Sequence, residues 1–495
     1  TILKVSPSEM KKHFEKNVSV EIIKPEGKNI TLEEAKRVIA ADLDGVYISG
    51  DVIRYYPYGN TLAHVLGIVG SDNQGITGLE YIYDDYLMGN FGSQNIFTDA
   101  HGNKIGDLTG EYTTPSSGLD LYLTVDIDIQ ITLERLMDNA LAYYDSKEII
   151  GLVMKPKTSE VLAIASRPNF DLVDYQKYDE SIYNRNLPIW MSFEPGSTFK
   201  IVTYSAGLEE GVFKTTDHFY DPGYAVVDGT RIRDWKAGGH GEQTYLEVIQ
   251  NSCNPGFVSI GLKLGKEKLF KYIKEFGFGK KTGIDLLGES TGIVFNESKI
   301  GNVEVATSAF GQGNSVTPIQ LVNAANAAVN GGNLNRPYIL KGFGIPNTST
   351  LVFREEVELV RRVISEETSA IVRDALERVV ALGTGRGAYV EGYRVGGKTG
   401  TAQISQNGSY LSNQYILSFL GIAPMNDPQI SAYFAINSPK ASIQYGGTVA
   451  APIVKELIAE SLTILNVQKQ NGGVQREARW WVDKFIYTVD DYVGK

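Results

Sequence analysis

The chain has 495 residues, which is longer than one hydrophobic core usually reaches and predicts two or three domains. Its 47 Lys and Arg stand against 58 Asp and Glu, and the net charge of −11 argues against nucleic acid as a partner, since phosphate-backbone binding needs a basic surface. The single cysteine, Cys253, excludes an intramolecular disulfide.

The predicted elements of the first 115 residues are short and polar. A polar helix is predicted at residues 7–17 and a strand at 46–57, which ends at Pro57. A turn cluster at 113–118 is typical of a linker. No run reaches the roughly 18 apolar residues of a membrane-spanning helix. Because the chain starts at Thr1 rather than Met, we expect its natural start to have been removed, so the absence of an anchor says little about the full-length protein.

From residue 119 the pattern becomes more apolar and more regular. Asp128 is a candidate N-cap for a helix at 129–144, and residues 149–154 and 161–165 predict a hairpin. The middle of the chain, 197–329, is predicted to be largely helical. Three strands and a final helix are predicted near the end, at 393–401, 416–423, 430–437 and 450–465. An early hairpin plus three late strands predicts an α+β fold, with one antiparallel sheet flanked by helices.

The first chemical motif is Ser197 with Lys200 one helical turn later, after the turn made by Pro195 and Gly196. The helix that follows is apolar nearly all round, so we expect it to be buried. Burial favours the neutral amine of a lysine, which can then take the proton of a nearby serine hydroxyl. The alternative is a capping serine with an ordinary lysine, as at Ser8 and Lys11.

Two further motifs follow at larger spacings. Ser252 and Asn254 flank Cys253 on a connection after a helix with a Thr244 to Glu247 capping box, so that a hydroxyl and an amide can face one cleft. Lys398 to Thr401 follow a glycine pair on a predicted strand, where a lysine and two hydroxyls would bind a carboxylate. Each motif has decoys elsewhere, at residues 71–73, 281–283 and 405–407. The order and the spacing of the three together give the signal its strength.

The three motifs make the chain resemble the penicillin-recognising serine acyltransferases, and more narrowly the class B penicillin-binding proteins, which are monofunctional peptidoglycan D,D-transpeptidases. Within that class it is most similar to the sporulation and division type. Segments outside the motifs match as well, at residues 54–57, 63–67, 78–80, 310–313, 316–320 and 383–385.

The resemblance implies a domain organisation. It predicts an N-terminal pedestal or dimerisation-type module at residues 1–115 and the penicillin-binding transpeptidase fold at 116–468. A C-terminal extension follows at 469–495, and its residues 489–494 resemble the start of a cell-wall-binding PASTA module.

The resemblance also implies roles for the motif residues. Ser197 would attack the carbonyl of the penultimate D-Ala of a stem peptide, and Lys200 would accept the serine proton. Ser252, with Lys398 nearby, would relay a proton towards the leaving amine, while Asn254 would hold the peptide amide.

The third motif would bind the end of the donor peptide. The hydroxyls of Thr399 and Thr401, on either side of Gly400, would hold its terminal carboxylate, and the backbone amides of Ser197 and Thr401 would form the oxyanion hole. An amine on a neighbouring strand would then attack the acyl-enzyme, and β-lactams would stall it. This serine chemistry needs no cofactor.

The single cysteine lies inside the second motif and suggests a metal site. Asp221, Asp234, His240 and Cys253 supply oxygen, nitrogen and sulfur ligands within 33 residues, a set that suits tetrahedral Zn²⁺. The spacing is not a standard zinc pattern. The alternative is a glycine-rich loop around His240 beside a buried cysteine that only packs.

Three alternatives share the same motifs: a β-lactamase, a D,D-carboxypeptidase, and a non-catalytic β-lactam sensor or scaffold. The Glu-x-x-Leu-Asn segment that positions the deacylating water of one large β-lactamase class is absent from the sequence. The expected partners are peptidoglycan stem peptides, β-lactams and a membrane glycosyltransferase of the wall-synthesis complex. The resemblance places the chain at the extracytoplasmic face of a bacterial membrane, tethered by an N-terminal helix.

Overall fold

A computed structural model describes residues 2–18, 20–24, 27–28, 30–50, 53–70, 72–90, 92–98, 104–406, 409–470 and 472–475. The chain divides into two compact units. The first comprises Thr1–Gly59 with Val69–Gln74, and the second comprises Asn60–Ile68 with Gly75–Lys495. The predicted boundaries at residues 115 and 468 stay a prediction, and the segment predicted to resemble a PASTA module lies outside the described residues.

The first unit contains two short helices, α1 (Pro7–Phe14) and α2 (Leu32–Ala40). Each begins with a capping box, from Ser6 to Glu9 and from Thr31 to Glu34, which satisfies the first free backbone amides. The predicted helix at 7–17 is therefore present but ends earlier.

The predicted strand at 46–57 is wrong for the residues that the structure describes. Residues 46–50 and 53–57 carry no strand assignment. The side chains of Tyr47, Ile53 and Tyr55 are 91%, 61% and 83% exposed, and no described residue of this stretch is fully buried. An alternating sequence forms a stable strand only where another strand or a core covers it.

The second unit begins with helices α3 (Ala63–Leu66), α4 (Gly78–Ile82) and α5 (Asp84–Met88) and the hairpin of β1 (Ser93–Thr98) and β2 (Lys104–Thr113). Its further helices are α6 (Ile127–Tyr144), α7 (Glu180–Tyr183), α8 (Leu187–Trp190), α9 (Lys200–Glu209), α10 (Tyr245–Gln250), α11 (Asn254–Glu275), α12 (Asn302–Ser308), α13 (Pro318–Val329), α14 (Glu366–Ala381) and α15 (Gly446–Ile464).

Its further strands are β3 (Asp120–Leu123), β4 (Glu148–Met154), β5 (Val161–Arg167), β6 (His218–Asp221), β7 (Tyr224–Val227), β8 (Thr230–Arg233), β9 (Gly241–Thr244), β10 (Asn333–Asn335), β11 (Leu340–Gly344), β12 (Leu351–Arg354), β13 (Leu359–Arg362), β14 (Gly396–Gln406), β15 (Ser409–Ala423) and β16 (Ile430–Asn437). None of the helices in the described segments has the length and hydropathy needed to cross a bilayer.

The main sheet has five antiparallel strands in the order β14-β15-β16-β4-β5. Alternate residues of β4 supply two different cores, because successive strand side chains point to opposite faces. Ile149 and Val153 join the core under α6 and α15, whereas Ile150 and Leu152 join the larger core under the other helices. This confirms the predicted α+β fold, with one antiparallel sheet flanked by helices.

Two local predictions need correction. The N-cap of α6 is Asp126 rather than Asp128, because the Asp126 carboxylate accepts the backbone N–H groups of Asp128 and Ile129 at 3.1 and 3.2 Å. The predicted helical middle is interrupted by four short strands, which pair as β6 with β9 and β7 with β8. Turns at Pro222–Gly223 and Asp228–Gly229 permit these pairings and keep each strand to four residues.

Candidate active site

Ser197 lies on a 3₁₀ turn, Gly196–Phe199, that leads directly into α9. The preceding Gly196 has φ +55°, a conformation that favours glycine, and a Cβ there would lie 3.2 Å from the carbonyl oxygen of Thr401. The serine is half-buried, and its hydroxyl forms no hydrogen bond with the described residues. The turn therefore holds Ser197 beside β14 with a hydroxyl free to meet a substrate.

Lys200 is the first residue of α9 and is completely buried. Its Nζ donates to Asn254 Oδ1 at 2.6 Å, to the Ser252 carbonyl oxygen at 2.8 Å and to Ser252 Oγ at 3.2 Å. These contacts connect the first two motifs, which stand more than fifty residues apart in the sequence.

Ser252 connects the second motif to the third. Its backbone φ of +56° is unusual for a serine and costs on the order of 1–3 kcal/mol, a strain that is typical of functional sites. Its Oγ accepts from Lys398 Nζ at 2.9 Å as well as from Lys200. Because both lone pairs of the oxygen are engaged, the hydroxyl proton remains available to a group in the cleft.

The electrostatics of the two lysines follow from their burial. Burial lowers the pKa of Lys200 to about 8, against the opposing effect of Cys253 and Asp234. Burial, and then the nearby charge of Lys200, hold the pKa of Lys398 well below its usual range. A buried amine loses hydration in its charged form, so the neutral form of both amines is more accessible than it is in water.

The third motif lies on β14, which is an edge strand of the main sheet. Lys398 Nζ contacts the Thr399 hydroxyl at 3.3 Å, and Thr401 Oγ1 accepts from the backbone N–H of Gly446 at 3.2 Å. One edge of β14 pairs with β15 along Lys398 to Thr401, so its other edge offers backbone groups to a ligand.

Asn254 is fixed by three contacts at the start of α11. Its backbone N–H donates to Asp234 Oδ1 at 2.9 Å, and its Nδ2 donates to the Arg233 carbonyl at 3.3 Å. Since Oδ1 accepts from Lys200, the amide orientation is set by the network around it. The predicted catalytic and carboxylate-binding residues thus lie on the 3₁₀ turn and α9, on the α10–α11 connection and the first residue of α11, and on β14.

The four predicted metal ligands also lie together. One ligand atom each from Asp221, Asp234, His240 and Cys253 falls within 4.8 Å of the others. His240 Nδ1 is 3.0 Å from Asp221 Oδ2 and 2.8 Å from Asp234 Oδ2. His240 Nδ1 has hydrogen-bond geometry to Asp221 Oδ2, whereas within the described structure Asp234 Oδ2 is buried without a hydrogen-bond partner. A cation would satisfy that oxygen, so the donor set fits zinc.

Other polar groups around the site were not predicted from the sequence. The Thr399 hydroxyl reaches Thr384 Oγ1 at 3.4 Å, and Trp235 donates from Nε1 to the Asn251 carbonyl at 3.0 Å. Tyr410 donates to Glu194, three residues before Ser197. Thr384 lies within the matched segment 383–385 and Glu194 lies three residues before Ser197, and these positions are the only sequence signals that could have indicated them.

Comparison with sequence families finds two matches that together span most of the chain. The family model described as the penicillin-binding protein transpeptidase domain matches residues 149–459. The family model of the penicillin-binding protein dimerisation domain matches residues 1–123.

Individual proteins and solved structures are similar along most of the length. Stage V sporulation protein D of Bacillus subtilis is 55% identical over 494 residues, which cover 100% of this chain and 76% of that protein. Peptidoglycan D,D-transpeptidase FtsI of Escherichia coli is 31% identical over 86% of this chain and 70% of its own length. Penicillin-binding protein 3 of Mycobacterium tuberculosis, solved in complex with aztreonam, superposes with a TM-score of 0.75 at 29% identity and covers 86% of this chain and 93% of the other.

Proposed function

The chain belongs to the penicillin-binding proteins with a transpeptidase domain, and from that premise we propose how its residues cross-link peptidoglycan. The predicted resemblance to class B, of the sporulation and division type, is confirmed. The protein is a serine-type peptidoglycan D,D-transpeptidase that β-lactams acylate. The observation that carries the residue roles is the hydrogen-bonded chain from Lys200, three residues after Ser197, through Ser252 to Lys398.

In the acylation half-reaction Ser197 is the nucleophile. Its Oγ attacks the carbonyl of the penultimate D-Ala while Lys200, with its lowered pKa, takes the proton. Ser252 passes a proton to the leaving D-Ala amine and draws on Lys398, which donates to the same oxygen. The ester between the donor peptide and Oγ replaces the peptide bond, and D-Ala leaves.

The remaining residues bind and polarise the donor. Asn254 holds the peptide amide, and the hydroxyls of Thr399 and Thr401 hold the terminal carboxylate. Backbone amides of Ser197 and Thr401 stabilise the oxyanion, a contribution of roughly 3–4 kcal/mol for each donor removed in comparable sites. Gly400 supports this arrangement because a Cβ there would lie 2.3 Å from Ser418 Oγ.

The experiment that tests these roles is mass spectrometry after incubation with benzylpenicillin. We expect one penicilloyl group, attached to the peptide that contains Ser197, and none in Ser197→Ala. A second assay supplies a soluble donor peptide and an amine acceptor. It distinguishes cross-linking from hydrolysis, because a D,D-carboxypeptidase releases only the product of attack by water. A folded parent protein that forms no adduct would contradict the assignment of Ser197.

We also propose a structural zinc ion held by Asp221, Asp234, His240 and Cys253. The buried Asp234 oxygen and the mixed donor set support it. Bound there, the ion would link the β6–β9 segment to the start of α11, where Cys253 and Asn254 are adjacent. Its contribution would be to rigidity rather than to bond breaking.

Metal analysis of the purified protein tests the zinc proposal. We expect about one zinc per chain. Cys253→Ser and His240→Ala should lose the metal and melt at lower temperature, whereas His218→Ala, at an exposed histidine paired with Glu242, should retain it. Folded parent protein without bound metal at near-neutral pH would refute the site.

The partners and the location follow from the family. The peptidoglycan stem peptides and β-lactams are its ligands, and relatives are enzymes of cell-wall synthesis outside the cytoplasm. We propose in addition that a membrane glycosyltransferase supplies the glycan strand and that an N-terminal helix tethers the protein. The N-terminal module, which we place at residues 1–115, would connect this helix to the transpeptidase domain.

A further inference from the structure

Glu194, three residues before the nucleophile Ser197, is an acidic side chain that the acylation chemistry does not use. Tyr410 Oη donates to both of its carboxylate oxygens, at 3.3 and 3.1 Å, and the backbone N–H of Gly313 donates to it as well. The residue is half-buried, and burial raises the pKa of its carboxyl. Its position is therefore held from two sides.

The pair of Glu194 and Tyr410 lies at one end of the cleft. Tyr410 is paired with Ser405 in the β14–β15 hairpin, four residues beyond Thr401, whereas Lys398 at the other end of this segment contacts Ser252. Four strand residues span about 13 Å. Glu194 and Tyr410 therefore lie beyond the carboxylate-binding hydroxyls, away from the proton-relay residues.

The charge of Glu194 is not balanced within the described part of the chain. No lysine, arginine or histidine there forms an ion pair with it. A half-buried carboxylate that forms no ion pair has lost part of its hydration without a compensating charge, which has a free-energy cost. That cost is removed when a cationic group binds there. A primary ammonium suits a carboxylate already held by a phenol and an amide, because it adds three donors and a positive charge.

We propose that Glu194, positioned by Tyr410, binds the primary ammonium group of the acceptor strand before it attacks the acyl-enzyme. This deepens the transpeptidase function and depends on it. Glu194 would thus favour an amine over water as acceptor, which is what separates a transpeptidase from a carboxypeptidase.

The step balances as follows. The bound ammonium first gives one proton to water and becomes a neutral amine. Its nitrogen forms an amide bond with the acyl carbon while the ester bond to Ser197 Oγ breaks. The second amine proton ends on that oxygen, so that the free hydroxyl is regenerated.

Acyl-transfer kinetics test the proposal, with an N-acyl-D-alanyl thioester as donor. D-alaninamide serves as the ammonium acceptor and hydroxylamine as an acceptor that is neutral at the same pH. In Glu194→Gln we expect the half-saturating concentration of D-alaninamide to rise about tenfold relative to that of hydroxylamine, since a charge-assisted contact is lost. Glu194→Asp should recover part of the preference, and Tyr410→Phe should lose a smaller part.

The controls separate this proposal from the function on which it rests. Glu15→Gln, an exposed glutamate of the first unit, should match the parent in the ratio. If Glu194→Gln does not fold, Tyr410→Phe still decides the question through the same ratio. An equal change in the half-saturating concentration of both acceptors, or no change in either, would overturn the ammonium site but not the transpeptidase assignment. Failure of the parent to form the penicilloyl adduct would overturn the transpeptidase assignment instead.

Discussion

At the scale of single residues, the site depends on one hydroxyl shared by two buried amines. Lys200 and Lys398 both lie within 3.2 Å of Ser252 Oγ. Double protonation is disfavoured because two positive charges this close repel each other in a medium of low dielectric. The three side chains therefore act as one titrating unit, in which a proton can pass from one lysine towards the other through Ser252.

The lowered pKa of Lys200 predicts how acylation depends on pH. Only the neutral amine can take the serine proton, and with a pKa of about 8 its fraction grows as pH rises. The second-order rate of acylation by nitrocefin should increase about fivefold from pH 7 to pH 8 and level off above pH 9. Stopped-flow absorbance on the folded protein measures it.

Two controls accompany this profile. Melting curves over the same pH range show that the protein stays folded, and Lys200→Arg, which keeps a charge that cannot be removed, should lose acylation throughout. A rate that is flat from pH 6.5 to pH 9 would remove Lys200 as the base.

At the scale of elements, the main constraint is the close approach of β14 to its neighbours. A Cβ on Gly400 would lie 2.3 Å from Ser418 Oγ on β15 and 3.1 Å from Thr198 Cγ2 next to the nucleophile. The strand is thus packed from both sides by elements of the same site. A residue larger than glycine therefore forces Ser418, Thr198 or β14 itself to shift.

Gly400→Ala should therefore impair both stability and acylation. Overpacking of this kind costs about 1–3 kcal/mol, and a shift of β14 by even part of an ångström displaces Lys398 and Thr401 together. We expect the free energy of unfolding in urea to fall by that amount and acylation by penicillin to slow at least tenfold.

A double variant tests whether the clash with Ser418 causes these two losses. Adding Ser418→Ala removes the oxygen that clashes, so Gly400→Ala/Ser418→Ala should recover part of both losses. The recovery is partial because the contact with Thr198 remains. Purely additive losses in the double variant would show that the clash with Ser418 is not the reason.

The elements also show which parts of the site could be predicted from the sequence. Ser197, Ser252 and Lys398 could be predicted because each motif carries its chemistry locally and their order is informative. Tyr410 could not be linked to Glu194, since the two are 216 residues apart and only the strand register brings them together. The strained backbone of Ser252 likewise has no sequence signal, because a serine does not favour positive φ.

At the scale of the whole molecule, burial of His64 predicts sensitivity to acid. His64 Nε2 lies 2.9 Å from the Ile182 carbonyl, and burial lowers the pKa of the ring to about 4. The unfolded chain, with a histidine pKa near 6.5, takes up a proton first as the pH falls. The stability that depends on neutral His64 is complete above about pH 6.5 and is lost progressively towards pH 4.

At pH 5 the expected loss is about 2 kcal/mol relative to pH 7.5. Many carboxylates titrate in the same range, so the measurement is the difference between parent and His64→Gln in urea unfolding from pH 4.5 to 7.5. The gap between the two should narrow as the pH falls, because glutamine does not titrate. Parallel curves would mean that folding does not lower the pKa of His64.

The global topology could be predicted in outline but not in its connections. The hairpin and the late strands follow from apolar runs, and their membership of one sheet follows from their number and from the helices between them. The order β14-β15-β16-β4-β5 rests on the packing of α6 and α15 against one face, which involves residues from both ends of the domain. The sequence of a single segment does not indicate which distant strand it pairs with.

That order has a consequence for when the enzyme becomes active. Strand β4 pairs with β16, so the edge of β4 at Met154 is not covered until Ser431 has been synthesised. At ordinary rates of synthesis the intervening chain takes on the order of tens of seconds to emerge. Until then β14 and β15 have no sheet to join, and Lys398 cannot reach Ser252. A chain that ends before β16 is therefore not expected to react with penicillin. Reactivity with the drug then indicates that β16 has been synthesised and has joined the sheet.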